Sequence, residues 1–437
     1  MFTEQRTTKL RRGRAWPALD AVVFAAALVL YAVAAPLGLA RVDAAPQVAA
    51  GIALDAAAQG GASLVLFLTR ILEYLPIGDL VLRANLMSWV ASALATALLA
   101  RLAVELIAVF RPPPSARLLA GRFLHEPIAA GGAALAAALS LSSFEAGVTA
   151  GATSLTLALL VGALLAELVL LRDLLNTNAG LFLASLAGLS AGVGPMAGPV
   201  LWPVLAGLSV WALRKGARWP LFAPLCFVAA LGGFALASSA ASSASMSLRE
   251  VFVSPFVVMP QGRAALGMTA VEIGDQVGAV GVVLAAIGLF VLFSRAAVTA
   301  AWLALNLFTC LLFANLGNAS AGGAMSVRAA LPMAIAVTCL LGCVGLVHVS
   351  ARLGRARLAG AVTLAVILVF SPAMDGGRAR WACRPLPMRL LDRALERAES
   401  RSVVDPGTSE MAGLFRLARV IGLRPDLEFA LKSHPKP

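Results

Sequence analysis

Between Arg41 and Ser88 the chain carries the ionisable Asp43, Asp55, Arg70, Glu73, Asp79 and Arg83, together with the amide Asn85. Long apolar segments flank this stretch on both sides. A carboxylate placed there could take the proton of an attacking hydroxyl, and an arginine could hold a phosphate through two parallel hydrogen bonds. Asp43 is the candidate base. Arg41, Arg83 and, from a later outer segment, Arg249 are the candidate phosphate-binding cations. Asp43 also has a plainer reading, as a carboxylate that caps a helix or keeps a surface loop wet, and both readings stand. Asp79 stands at the head of an apolar run and reads as a helix cap.

The elements that must position these groups follow from composition. Hydrophobic residues make up 60% of the 437 residues and charged residues 13%, which excludes an ordinary soluble protein. Apolar runs of about 20 residues recur, the length of helix that crosses the hydrocarbon of a bilayer. They lack the alternation of a lipid-facing barrel strand, so the spanning form is helical. The expected spans are 18–40, 84–110, 127–142, 146–171, 179–194, 197–213, 219–240, 277–294, 296–315, 329–350 and 358–372. The fold class is therefore all-α, a polytopic transmembrane bundle of about eleven spans. Three parts are expected: a basic arm over 1–17, a membrane body over 18–372 with its first outer loop at 41–84, and a polar tail over 373–437.

The net charge of +13 would suggest nucleic acid in a soluble chain. Here its distribution sets topology, and no nucleic-acid partner is expected. With the amino terminus in the cytoplasm, only Arg41, Arg70, Arg83, Arg249, Arg263 and Arg328 fall in outer segments before the tail. The arm and the segments carrying Arg111, Arg117, Arg122, Arg172, Arg214, Lys215, Arg218, Arg295, Arg352, Arg355 and Arg357 then lie inside, as the positive-inside rule requires. An odd number of spans places the tail outside. The first run, Leu19 to Leu39, exceeds the roughly 7–15 apolar residues of a signal peptide and reads as an anchor.

Within 41–84 two short surface helices are expected, joined at Gly60–Gly61. The second carries Leu64, Leu68, Ile71, Leu72 and Leu75 on one face and Arg70 and Glu73 on the other, and Pro76 and Gly78 end it. A plain surface loop fits the pattern equally well. Charges inside the spans are few. Arg101 precedes Glu105 by one turn, Glu167 is expected to pair with Arg172 or snorkel, and Asp20 heads the first span. No span holds an ionisable group near its middle, which disfavours ion-driven transport. His125, His348 and His434 stand apart from one another and from any nucleophile, and Cys339 and Cys343 have no His, Asp or Glu beside them. Neither triad chemistry nor a zinc site is supported, and no cofactor is evident, a divalent metal included.

Several motifs carry a family likeness. Asp43-Ala44-Ala45-Pro46 falls where a DAGE-like motif would stand, and Ala58 to Leu64 where an HPPGYPL-like turn would. Leu75-Pro76-Ile77-Gly78-Asp79, followed by Arg83, Asn85, Leu86 and Ser88, matches a P(I/F)GD…RNLxS run. Asp405-Pro406-Gly407-Thr408 and Gly422-Leu423-Arg424-Pro425-Asp426 match the tail of the same family. In these residues the chain resembles the bacterial membrane proteins related to protein O-mannosyltransferases. That resemblance implies GT-C architecture, a lipid-linked sugar phosphate as donor, an acidic base in the first outer loop, and a place in the bacterial inner membrane. The departures are Pro46 at the second acidic position, Ala58 at a histidine position, Gly151 at an acidic position of the fourth span and Val193-Gly194 at an Asn-His pair.

Two functions follow. One is a glycosyltransferase moving sugar from a polyprenyl phosphate to a protein or envelope acceptor on the outer face, with Asp43 as base and Arg41, Arg83 or Arg249 on the phosphate. The other is a non-catalytic scaffold or partner subunit of an envelope complex, to which the missing polar groups point.

Overall fold

A computed structural model describes residues 16–34, 68, 71–72, 74, 76, 80–110, 125–148, 152–193, 197–241, 263–316, 324–353, 357–382, 403–404 and 428–429. Among these the chain is helical: α1 (Trp16–Ala34), α2 (Leu80–Phe110), α3 (His125–Leu139), α4 (Leu141–Val148), α5 (Ala152–Arg172), α6 (Thr177–Val193), α7 (Ala197–Arg214), α8 (Trp219–Ala241), α9 (Arg263–Arg295), α10 (Ala297–Leu316), α11 (Ala324–Arg352) and α12 (Arg357–Ala382). Two tail fragments, β1 (Val403–Val404) and β2 (Glu428–Phe429), pair in parallel. The fold class is the expected all-α bundle.

Each expected apolar run coincides with a helix. Four helices are long and apolar enough to cross a membrane alone, α3 and α4 together make a bent fifth, and six more are shorter apolar helices. The molecule's apolar surface identifies its solvent. Val33 is 81% exposed, Phe290 75% and Leu225 69%, side chains that water would bury and lipid leaves where they are. The protein is an integral membrane protein.

Helix α11 is the axis of the bundle, with 94% of its span buried, against 39% for α9. It packs on α9, α10, α3 and α5, while α8 leans on α6, α12 on α3, and α1 on α2. Where α9 crosses α11, Gly288 faces the Leu341 carbonyl and Gly345 faces the Leu284 carbonyl, leaving no room for a Cβ on either. Lipid offers no hydrophobic drive between helices, so close backbone approach through small residues takes its place.

The turns follow local rules. Asn176 Oδ1 accepts from the Ala179 N–H at 3.1 Å and caps α6. Gly216, at φ +81°, ends α7, and the Ala217 N–H returns to the Ala212 carbonyl at 3.0 Å. Trp219 Nε1 donates to the Leu174 carbonyl at 2.9 Å, while its ring lies against Gly180.

Two expectations need correction. The run 127–142 is not one straight helix: the chain bends by 71° between α3 and α4, at Ser140. Glu167 does not pair with Arg172. Arg172 Nη1 instead meets Glu105 Oε2 at 2.6 Å, and Arg101 joins Glu105 at 3.2 Å and Asp20 at 3.7 Å. This chain of charges ties α1, α2 and α5 together at one end of the bundle. The Arg101–Glu105 pair is as expected.

Candidate functional site

Residue by residue, the expected site is only partly in view. Asp43, Arg41 and Arg249 lie outside the described residues, as do Asp55, Arg70, Glu73 and Asp79. Arg83 is described, at the start of α2, where its Nη1 donates to the Leu72 carbonyl at 3.5 Å. That bond links α2 to the second expected surface helix, of which Leu68, Ile71 and Leu72 are helical and Pro76 is not. The Tyr74 N–H closes a turn onto the Ile71 carbonyl at 3.1 Å. Leu68 packs beside Val193, Met87, Leu155 and Leu159, while Ile71 and Tyr74 face outward.

From Arg83 the polar side of α2 runs inward. Asn85, Ser88, Ser92 and Thr96 are all buried, opposite the exposed Val90 and Leu94. Their spacing of three and four puts them on one face of the helix. Trp89 stands beside this face in an apolar cluster with Ala27, Tyr31, Ala93, Ala138, Phe144 and Val148, which closes the space between α1, α2 and α4. A cavity of about 10 Å³, room for roughly one water, lies among Tyr31, Thr96, Ser143 and the alanines of α3.

The break between α3 and α4 is the most constructed feature at this end of the bundle. Breaking a helix in a membrane leaves backbone groups that need internal partners. Ser140 Oγ lies 2.7 Å from the Ala137 carbonyl and donates to it. The Tyr31 hydroxyl donates to the Ala138 carbonyl at 3.3 Å. At the start of α4 the Ser142 N–H and hydroxyl both donate to Gln276 Oε1, at 3.0 and 2.9 Å. Gln276 thus caps α4 from another helix, and its own Nε2 donates to Glu272 Oε1 at 3.4 Å. Tyr31 presses against Gly147, where a Cβ would strike the ring.

Gln276 can reach α4 because α9 is itself broken. Gly278 takes φ 77°, ψ 159°, so the segment carrying Glu272, Asp275 and Gln276 leaves the line of the inner helix. That φ lies where only glycine sits without strain. Glu145 of α4 and Asp275 are within electrostatic reach of Glu272. The polar groups described at this end of the bundle are therefore the carboxylates of Glu145, Glu272 and Asp275, the amides of Asn85 and Gln276, several hydroxyls and Arg83. They can accept from and orient hydroxyl groups, and Arg83 is the cation among them that could meet a phosphate. Among the described residues no His, Cys, Asp and Glu group has the form of a metal site.

Sequence reasoning missed Glu145, Glu272 and Gln276. The last two stand just before the apolar run at 277–294, outside every expected span. The available signal was the acidic pair three apart at the head of an apolar segment, where carboxylates suit a helix start.

No family model matches the chain, and no curated protein matches it. A solved structure does: ArnT from Cupriavidus metallidurans bound to undecaprenyl phosphate. The chain has the GT-C fold. The two superpose with a TM-score of 0.59 over 94% of this chain and 89% of that one, at 11% sequence identity. At that identity the likeness is one of architecture, and it extends over nearly the whole molecule.

Proposed function

We propose that this protein is a GT-C membrane glycosyltransferase that moves a sugar from a lipid-linked phosphate donor to a protein or envelope acceptor on the outer face of the bacterial inner membrane. The observation that supports this best is a fold shared over nearly its full length with a protein solved on undecaprenyl phosphate. The Pro76-to-Ser88 motif and Asp43 support the finer reading of a relation to O-mannosyltransferases. In that reading Asp43 takes the acceptor's hydroxyl proton as the oxygen attacks the sugar's anomeric carbon, and the bond to the lipid phosphate breaks. Arg41, Arg83 and Arg249 hold the departing phosphate. The amino terminus is placed in the cytoplasm and the tail outside by the charge bias.

One observation favours the scaffold reading. The charged groups described at this end are three carboxylates against one cation, and that cation, Arg83, already spends a hydrogen bond on the Leu72 carbonyl. Transfer of labelled sugar from polyprenyl-linked donors, in membranes carrying the wild type or Asp43→Asn, separates the two. The enzyme reading expects Asp43→Asn to slow transfer by about 10²–10⁴-fold, the usual worth of a positioned base, with protein abundance unchanged. An unaltered rate would remove Asp43 from the mechanism. Absence of transfer from every donor, with a membrane protein co-purifying, would favour the scaffold.

A further inference from the structure

The strongest unexplained group lies away from the outer site. Glu167 of α5 is fully buried just over one turn before Arg172. Its two carboxyl oxygens are treated very differently. Oε2 accepts from Trp302 Nε1 at 2.6 Å and from Asn306 Nδ2 at 3.2 Å, both on α10. Oε1 is buried and meets no donor. Asn306 is likewise fully buried, and its Oδ1 also meets no donor. The orientation of the Asn306 amide is fixed, because Nδ2 donates to the Trp302 carbonyl as well, at 3.1 Å.

Two bare acceptors thus sit on two side chains that are already joined. A buried ionised carboxylate needs a cation or several donors. The groups acting on Glu167 are the neutral Trp302 and Asn306, with the Cys310 thiol of α10 nearby. Arg172 of the same helix is engaged with Glu105 of the neighbouring α2, which Arg101 also meets. One hydrogen atom would satisfy both orphans. A carboxylic acid and a primary amide form a closed ring in which the amide N–H donates to one acid oxygen and the acid O–H donates to the amide oxygen.

We propose that Glu167 carries a proton on Oε1 and donates it to Asn306 Oδ1, closing an acid–amide pair that fastens α5 to α10. Trp302 completes the set by donating to the remaining lone pair of Oε2. Every polar atom of the three side chains then has a partner, which a fully buried membrane site demands. The pair is independent of the reading of the outer site and stands whether or not the chain transfers sugar.

Infrared difference spectroscopy of the purified full chain in nanodiscs tests this at neutral pH. Glu167→Gln subtracted from wild type should show loss of a carboxylic-acid C=O stretch with the carboxylate bands unchanged. Loss of carboxylate bands instead would overturn the proposal. Asn306→Ala keeps the acid and removes its partner, so the same stretch should move to higher frequency, and an unmoved band would refute the pairing. This second variant carries the test if Glu167→Gln does not fold. Exchange of sodium for N-methylglucamine should leave the wild-type spectrum as it is. A sodium-dependent change would assign the site to a metal cation rather than a proton.

Discussion

The glycine crossing of α9 and α11 gives the sharpest stability prediction. A methyl added at Gly288 would strike the Leu341 carbonyl and approach the Gly345 nitrogen, and one at Gly345 would strike the Leu284 carbonyl and approach the Gly288 nitrogen. The obstacle in each case is backbone, which cannot rotate aside, so the helices must separate. Overpacking of this kind costs about 1–3 kcal/mol. Alanine regains up to about 1 kcal/mol through its better helix propensity. With that gain in full, the net expectation is a loss of up to about 2 kcal/mol for Gly288→Ala and for Gly345→Ala. At Gly207 and Gly232 an added methyl would meet nothing within 4 Å, so alanine there should be neutral or stabilising. The two crossing sites answer to one separation: once the helices have parted for the first methyl, the second finds room. The double variant should therefore lose less than the sum of the singles, with a coupling of about 0.5 kcal/mol or more. Reversible unfolding of the purified protein in mixed micelles, followed by tryptophan fluorescence, measures all five variants. Equal tolerance at Gly288 and Gly207, or strict additivity of the pair, would refute the crossing.

Other perturbations read other parts of the fold. Gln276→Ala removes the acceptor of both Ser142 bonds, so unfolding should become easier by about 0.5–2 kcal/mol, as for a lost helix cap; a change no larger than at a lipid-facing site would show the cap to be idle. Leu68→Asp should lower the yield of folded protein, because the side chain packs beside Val193 and Met87, whereas Glu73→Gln should not; fluorescence-detected size exclusion compares them, and equal yields would displace the surface helix. A cysteine placed at Ser402 in a background without native cysteines should react with an impermeant thiol reagent added from outside. Labelling only after lysis would put the tail in the cytoplasm.

The helices were legible because nothing but helix satisfies the backbone of an uninterrupted apolar run in lipid. What the runs concealed was their breaks. Ser142 and Ser143 sit in an Ala-rich segment that reads as straight helix, and the bend at Ser140 is held by Tyr31 and Gln276 from α1 and α9. Those partners lie 107 and 134 residues away in sequence, beyond the reach of any local pattern. The part of α9 before Gly278 is hidden for a related reason. Its charges keep it out of the apolar run at 277–294, while Gly278 lets the helix take a new angle and carry them.

The charged groups show how spacing decides and how it misleads. Arg101 and Glu105 are one turn apart, and they pair. Glu167 and Arg172 are five positions apart, which at 3.6 residues per turn sets them roughly 140° apart around the helix. No side chain on one face can serve both directions. Arg172 turns outward to Glu105, and Glu167 turns into the bundle, where its partners come from α10. The sequence placed a carboxylate near a cation, but the helix geometry had already separated them. A buried acid of this kind becomes visible only when the neighbouring helix is in place, because Trp302 and Asn306 carry no charge that would advertise them.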